Sequence, residues 1–288
     1  MKIYNCFIFN NEMDLLELRL KELYDHIDYF VLVEATKTHR GKNKPLHFEE
    51  NKKRFEKWKD KIIHVVVRDM PKVGMSYGKN WRINSLLLGG PWKLENFQQN
   101  QIVRGLKNCK DEDIIIQSDA DEIPNPKKIP EMVERLKKGD MVVIFELELY
   151  YFYLNGYAHS KWCGAKAYTF KTLKEKFWFS INQARRLRNL KLRIGKLFGK
   201  EHSSIIKNGG WHFSYLGDEK TIRNKIENHA HTENDIEEFK DPKKIKERME
   251  KGLDLFGRDA KIKYVPIDNS FPEEIRKNKK KYSKFIKK

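Results

Sequence analysis

The stretch Asp113-Ile114-Ile115-Ile116-Gln117-Ser118-Asp119-Ala120-Asp121-Glu122-Ile123-Pro124-Asn125-Pro126 constrains this chain more than any other. Three consecutive Ile form a short apolar run, the pattern of a strand buried on both faces of a parallel sheet. Three carboxylates in four positions follow directly, and Pro124 and Pro126 then end the strand and set a turn. In open α/β sheets, ligands bind beyond the carboxyl ends of the strands. Carboxylates crowded there repel one another, and a hard divalent cation such as Mn²⁺ or Mg²⁺ relieves the repulsion. The competing reading is purely structural: a helix N-cap and acidic first turn ahead of the segment Lys127–Lys138.

Asp-x-Asp occurs twice, at Asp111/Asp113 and at Asp119/Asp121. The first pair precedes the Ile run and is expected in a solvated loop. Only the second stands where a strand ends, and that position gives it meaning.

A chain of 288 residues, 39% hydrophobic, can bury a real core and is not disordered. The longest apolar runs, Tyr29–Val33 and Met141–Phe145, fall far short of a membrane span. Met1–Cys6 reads as a strand and not as a signal-peptide core, so the expectation is a cytoplasmic protein without a transmembrane anchor. Cys6, Cys109 and Cys163 lack C-x-x-C spacing and read as free thiols. The net charge of +18 is unevenly spread. Between Lys171 and Asn208 there are eleven Lys/Arg against Glu175 and Glu201, and Arg276–Lys288 adds eight basic residues with no acid. Such segments suit an anionic partner, a nucleotide diphosphate or a nucleic acid, or else form a solvated surface.

Lys2–Phe9 reads as a first strand, and Asn11 then leads into an amphipathic helix carrying Met13, Leu15, Leu16, Leu18, Leu20 and Leu23. Asp28–Glu34 is a second buried strand, Thr36–Lys44 a polar loop, Asn51–Lys59 a short helix and Ile62–Val67 a third strand. This alternation predicts a parallel sheet with crossover helices, an α/β fold. Pro71–Pro91 reads as a long functional loop or lid. Further helices are expected over Lys93–Asn108, Ile129–Lys138, from Thr221, and over Phe239–Leu255, with strands at Met141–Tyr153 and Gly209–Tyr215.

Phe7-Ile8-Phe9-Asn10-Asn11-Glu12-Met13-Asp14-Leu15-Leu16-Glu17-Leu18-Arg19, Phe30-Val31-Leu32-Val33-Glu34, Lys44-Pro45-Leu46 and Asp119-Ala120-Asp121-Glu122-Ile123-Pro124, in this order, resemble glycosyltransferase family 17. Gly210-Trp211-His212-Phe213-Ser214 is similar to the family's late Gly-Trp-His motif. The likeness is dense from Lys2 to Pro126 and patchy beyond. It implies a GT-A (Rossmann-like) α/β fold with a mostly parallel central sheet, a UDP-sugar donor with UDP-N-acetylglucosamine favoured, a glycan acceptor, and inversion at the anomeric carbon. The corresponding division is a single domain over 1–270, with a nucleotide-sugar half at 1–126 and an acceptor half at 127–270, followed by a basic tail at 271–288.

Within that frame Asp121 is the candidate direct ligand of Mn²⁺ or Mg²⁺. Asp119 would act through water or on the ribose hydroxyls. His212 is the third metal-ligand candidate, or else a core histidine bracketed by Trp211 and Phe213. Glu34, Asn10 and Glu12, at strand exits, are candidates for the uridine or ribose; helix caps and loop salt bridges are their alternatives. Arg104 suits the base or phosphates, or a pair with Glu122 or Asp119. Arg185-Arg186-x-Arg188 could support the leaving diphosphate or form a solvated helix face. His229 and His231, two apart, cannot share a helix face. Inverting displacement needs a carboxylate to take the acceptor's proton, and Glu122, Asp218, Glu146 and Glu148 are the candidates. Trp81, Trp92, Trp162 and Trp211 could stack on sugar rings or sit in the core. The rival functions are a basic nucleic-acid-binding protein and a catalytically inactive GT-A binding module.

Overall fold

The computed structural model describes residues 1–73, 90–187 and 203–288. Most of the expected loop at Pro71–Pro91, with Tyr77 and Trp81, lies outside the described residues, as does Arg188.

Strand β1 (Ile3–Phe9) leads into α1 (Met13–Leu23), and β2 (Tyr29–Ala35) into the single-turn α2 (His47–Glu50). The short helix expected over Asn51–Lys59 is a 3₁₀-helix over Lys52–Lys61, and β3 (Ile62–Val67) follows. Next come α3 (Gly90–Asn100), β4 (Ile114–Gln117), β5 (Glu122–Pro124) and α4 (Ile129–Lys137). The later elements are β6 (Val142–Tyr151), β7 (Gly156–Trp162), β8 (Lys166–Thr169), α5 (Phe170–Phe177), α6 (Ile181–Arg185) and β9 (Ser203–Ser214). Helices α7 (Glu219–Asn228), α8 (Glu237–Lys240) and α9 (Pro242–Lys251), the short β10 (Lys263–Tyr264) and α10 (Glu273–Lys277) complete the chain. The helix expected over Phe239–Leu255 is divided, because Asp241 caps a new start and Pro242 occupies its first turn.

The fold is α/β, as expected. Strands β3, β2, β1 and β4 lie side by side and parallel. Beyond β4 the sheet continues through antiparallel β8 to β6, and β9 runs parallel to β6 while pairing antiparallel with β5. Alternation along the strands feeds two cores. Phe7, Phe9, Phe30, Leu32, Ile114 and Ile116 pack with α1, whereas Tyr4, Cys6, Val31, Val33 and Ile115 pack beneath α3, α5 and α6. The Ile run is therefore buried on both faces, for the reason its composition gave.

Chain order places the ligand crevice. The chain runs outward from β1 through β2 to β3, then returns to β4 on the other flank of β1. The order reverses between β1 and β4, the point where open α/β sheets bind ligands. The exits of these two strands carry Asn10 to Glu12 and Ser118 to Glu122.

Residues 271–288, set apart above as a basic tail, pack on α1. Phe271, Ile275 and Tyr282 are buried in the α1 core. Lys281 pairs with Glu17, Lys284 with Asp14 at 2.9 Å, and Glu274 with Lys21 at 2.5 Å. Lys281 and Lys284 thus answer the acidic face of α1.

Candidate active site

The acidic turn is held from below by a residue the sequence analysis did not single out. Arg19 sits within the apolar stripe of α1, fully buried among Leu15, Leu16, Leu20 and Leu23. Its guanidinium donates to Asn5 Oδ1 at 2.6 Å, Ser118 Oγ at 3.0 Å and the carbonyls of Asp119, Ala120 and Glu122. Burial pulls its pKa down to about 10, against the raising effect of Glu122, Asp121 and Asp119. It stays charged at neutral pH and fixes the turn through its backbone, leaving the carboxylates to other partners. The signal was present: a charged residue four after Leu15 and four before Leu23 falls on the buried face of a helix.

The turn is not a helix cap. Glu122–Pro124 forms β5, which pairs with β9 in the register Glu122↔His212, Ile123↔Trp211 and Pro124↔Gly210. Gly210 makes this pairing possible. Its φ is +147°, and a Cβ there would run into the carbonyl of Ile123 and the amide of Asn125. The pairing brings His212 beside the acidic turn, with Nε2 3.5 Å from Asp121 Oδ1. His212 Nδ1 is buried without a hydrogen-bond partner. Burial pushes the imidazole pKa down, but Asp121 and then Glu122 outweigh it and raise it.

Each aspartate has its own basic partner. Asp119 accepts from Arg185 at 3.0 Å and from Gln99 Nε2 at 3.1 Å, and Arg185 also reaches Glu95 at 2.7 Å. Asp121 accepts from Lys225 of α7 at 2.7 Å. Burial pushes both carboxyl groups up, yet both end below the usual carboxylate range. Arg185 is the main opposing charge for Asp119; Lys225, then His212, for Asp121. The Lys225 ammonium, half-buried over the Tyr215 ring, is raised: burial lowers it, while Asp121 and Glu12 more than compensate. Nothing in the sequence separated Lys225 from the other basic residues of a Lys-rich chain.

Glu122 is 2% exposed. Burial, then the charge of Asp119, raises its pKa. It accepts from the Asp119 amide at 3.0 Å and from the Trp162 indole, and a Cβ on Gly164 would collide with it. Glu122 therefore braces the turn against the β7–β8 connection. Trp162 itself is 43% exposed, its ring 5.2 Å from that of His212, whereas Trp211 is buried and bonded to the Ser270 carbonyl.

Other candidates lie elsewhere or have structural work. Glu34 is fully buried and accepts the amides of Phe48 at 3.0 Å and Glu49 at 3.5 Å. The unpaired amides at the start of α2 draw the carboxylate inward, so the cap alternative holds there. Arg104 forms a two-pronged pair with Asp69 at 2.8 and 2.6 Å and pairs with neither Glu122 nor Asp119: the Glu122 carboxylate accepts from the Asp119 amide and the Trp162 indole, and Asp119 from Arg185 and Gln99. Asp113 is buried, not solvated, accepting the amides of Lys2 and Lys110. Glu12 caps the amides of Asn10 at 3.2 Å and Asn11 at 3.0 Å, at the rim of the crevice. Asp218 caps α7, and Glu148 is held by Tyr157 and Lys161. His229 lies against Tyr215 with its pKa pushed down to about 3 by burial and His231, and His231 pairs with Glu233.

Among the described residues no three His, Cys, Asp or Glu side chains form a ready metal cluster. Asp121 and His212 nevertheless present an oxygen and a nitrogen side by side, a donor pair that Mn²⁺ accepts. Asp119, turned towards Arg185 and Gln99, fits contact through water.

The family model for glycosyltransferase family 17 matches residues 1–283. The chain belongs to glycosyltransferase family 17. Its similarity to curated members is partial. It is 33% identical over 125 residues to the β-1,4-mannosyl-glycoprotein 4-β-N-acetylglucosaminyltransferases of Rattus norvegicus and Homo sapiens. The match covers 43% of this chain and 22% of either relative, so the chain spans well under half of their length. Among solved structures, a 2-C-methyl-D-erythritol 4-phosphate cytidylyltransferase of Francisella tularensis aligns over 72% of this chain and 90% of its own, at 12% identity and TM-score 0.35. A 4-diphosphocytidyl-2C-methyl-D-erythritol synthase of Anaerococcus prevotii covers 72% and 88%, at 12% identity and TM-score 0.38. Neither likeness is strong enough to bear on the assignment. Among the described residues of this family 17 member, no helix is long and apolar enough to cross a membrane.

Proposed function

We propose that this chain transfers N-acetylglucosamine from UDP-N-acetylglucosamine to a glycan hydroxyl, with inversion, using Mn²⁺ or Mg²⁺. The observation that carries the reading is the acidic turn at the β1/β4 switch point, with Asp121 and His212 adjacent. Family membership supplies the reaction class, and the names of the curated relatives supply the sugar. Residues 1–126 would supply most of the nucleotide-sugar side and 127–270 the acceptor side, with His212, Arg185 and Lys225 of the second half reaching back to the acidic turn.

Asp121 and His212 would hold the cation, with Asp119 bound through water. A cation there would offset the charge that develops on the leaving diphosphate. Arg19 positions the turn and, through its backbone bonds, keeps both aspartates at a fixed spacing. The exposed Trp162 face beside His212 offers an apolar platform for an acceptor sugar ring.

The test is release of UDP from UDP-N-acetylglucosamine in the presence of a glycan acceptor, with EDTA or with added Mn²⁺. The expected result is loss in EDTA and recovery with Mn²⁺. Undiminished turnover in EDTA contradicts the metal assignment, and inertness towards every UDP-sugar contradicts the donor.

A further inference from the structure

Asp119 and Asp121 are each neutralised by a basic side chain from outside the acidic turn, and the two basic groups differ in kind from Arg19. Arg19 is fully buried and committed to backbone carbonyls. Arg185, from the end of α6, and Lys225, from α7, are 30% and 31% exposed at the side chain and approach from different helices. Lys225 Nζ meets Asp121 Oδ2 on the carboxylate that also faces His212. Its ammonium thus takes Oδ2 of the carboxylate whose Oδ1 stands beside His212, and neutralises the charge that would attract a divalent cation there. Its partner Asp121 is 7% exposed, so the two cations cannot both be satisfied by this carboxylate without mutual repulsion. The lysine stem is flexible, and the guanidinium of Arg185 is a planar fork suited to phosphate oxygens.

We propose that Lys225 and Arg185 are exchangeable counter-ions. Without ligand they neutralise Asp121 and Asp119; when a divalent cation takes the carboxylates, they are released towards the cleft and bind the diphosphate of the nucleotide. The inference rests on the metal-dependent reading above and deepens it. It has one consequence that a purely structural ion pair lacks. A cation that bridges the diphosphate couples the two ligands by itself, but only the exchange makes removal of Lys225 tighten the cation while weakening the nucleoside diphosphate.

The test is binding, not turnover: Mn²⁺ affinity by electron paramagnetic resonance and UDP affinity by calorimetry, each measured with and without the other ligand. For the wild-type chain, UDP should tighten Mn²⁺ binding by about tenfold, within the usual range of coupling between sites. Lys225→Met should act in opposite directions. Mn²⁺ alone should bind several-fold more tightly, because its competitor is gone, while UDP at saturating Mn²⁺ should bind about tenfold more weakly. Lys225→Arg should restore UDP binding. Arg185→Met, measured the same way, should reduce UDP affinity and provides a second test should Lys225→Met not fold. If a folded Lys225→Met variant binds Mn²⁺ and UDP as the wild type does, or binds Mn²⁺ more weakly, the exchange is overturned and the metal reading stands. If the wild-type chain binds no Mn²⁺ with or without UDP, both fall.

Discussion

Two ionic clusters in this molecule are built from the same residue types and have opposite characters. At the β4 exit, Asp119 and Asp121 face Arg185 and Lys225; on the outer face of α1, Asp14 and Glu17 face Arg54, Lys281 and Lys284. The α1 cluster ties residues 271–288 down beside a packed apolar seam of Phe271, Ile275 and Tyr282. The β4 cluster draws its members from three separate apolar groups, around Ala120 and Ile123, Ile181 and Ala184, and Ile222 and Ile226. Its backbone is fixed by a buried arginine, and its side-chain charges stand at the switch point of the sheet. Charge pairing alone therefore does not identify a site; position at a strand exit and a dedicated backbone anchor do.

The largest effect that would separate the clusters is on turnover. Asp121→Asn should lower UDP-sugar turnover at least about a hundredfold, the scale of losing one transition-state charge partner. Asp14→Asn should leave it unchanged. Equal losses in an activity assay would erase the distinction.

Next in size is the anchor. Arg19→Met leaves the carbonyls of Asp119, Ala120 and Glu122 without their buried donor, and an orphaned buried group costs about 1–3 kcal/mol. Denaturant unfolding should show a loss of roughly 3 kcal/mol, with turnover lost as well. A stable, fully active variant would remove Arg19 from the account.

Acid should act first on the α1 cluster. Burial pushes Asp14 and Glu17 up, but Arg54 and Lys284, and Lys281 and Arg54 respectively, hold both below the usual range. Groups depressed in the folded state stabilise it fully above their ordinary pKa, about 4, and lose that contribution as pH falls through the folded values. Protection factors for amide exchange at residues 271–288 should therefore be unchanged from pH 7 to 5 and fall below about pH 4. Loosening already at pH 6 would contradict this. Smallest is Lys284→Ala, a partly exposed pair, expected to cost less than about 1 kcal/mol in urea unfolding, and less again in high salt.

The sequence made one half of the molecule far more readable than the other. Parallel strands buried on both faces write continuous apolar runs, so β1, β2, β3 and β4 were legible with their helices and the acidic exit. Strands β5, β7 and β8 were not. Glu122-Ile123-Pro124 carries no period, and Gly156–Trp162 has no apolar run and is exposed from His159 onwards. They form because β9 and β6 offer ladders, which is tertiary information. At the site the pattern reverses. Asp119, Asp121 and His212 were legible and are brought together, and Arg185 was legible only as part of a basic cluster with a solvated face as its alternative; Lys225 was not, because it reaches the turn from a helix about a hundred residues further along the chain. Glu34 shows why a strand-end carboxylate is ambiguous in sequence: it accepts the amides at the start of the following helix, the structural use that the sequence left open beside a ligand role.

The central claim is that the acidic turn grips the nucleotide sugar. Calorimetric titration of UDP-N-acetylglucosamine into the wild-type chain and Asp121→Asn, both with Mn²⁺, tests it most directly. The account predicts binding to the wild type and none to a variant whose melting curve shows it folded. Equal affinity for the two proteins would contradict it.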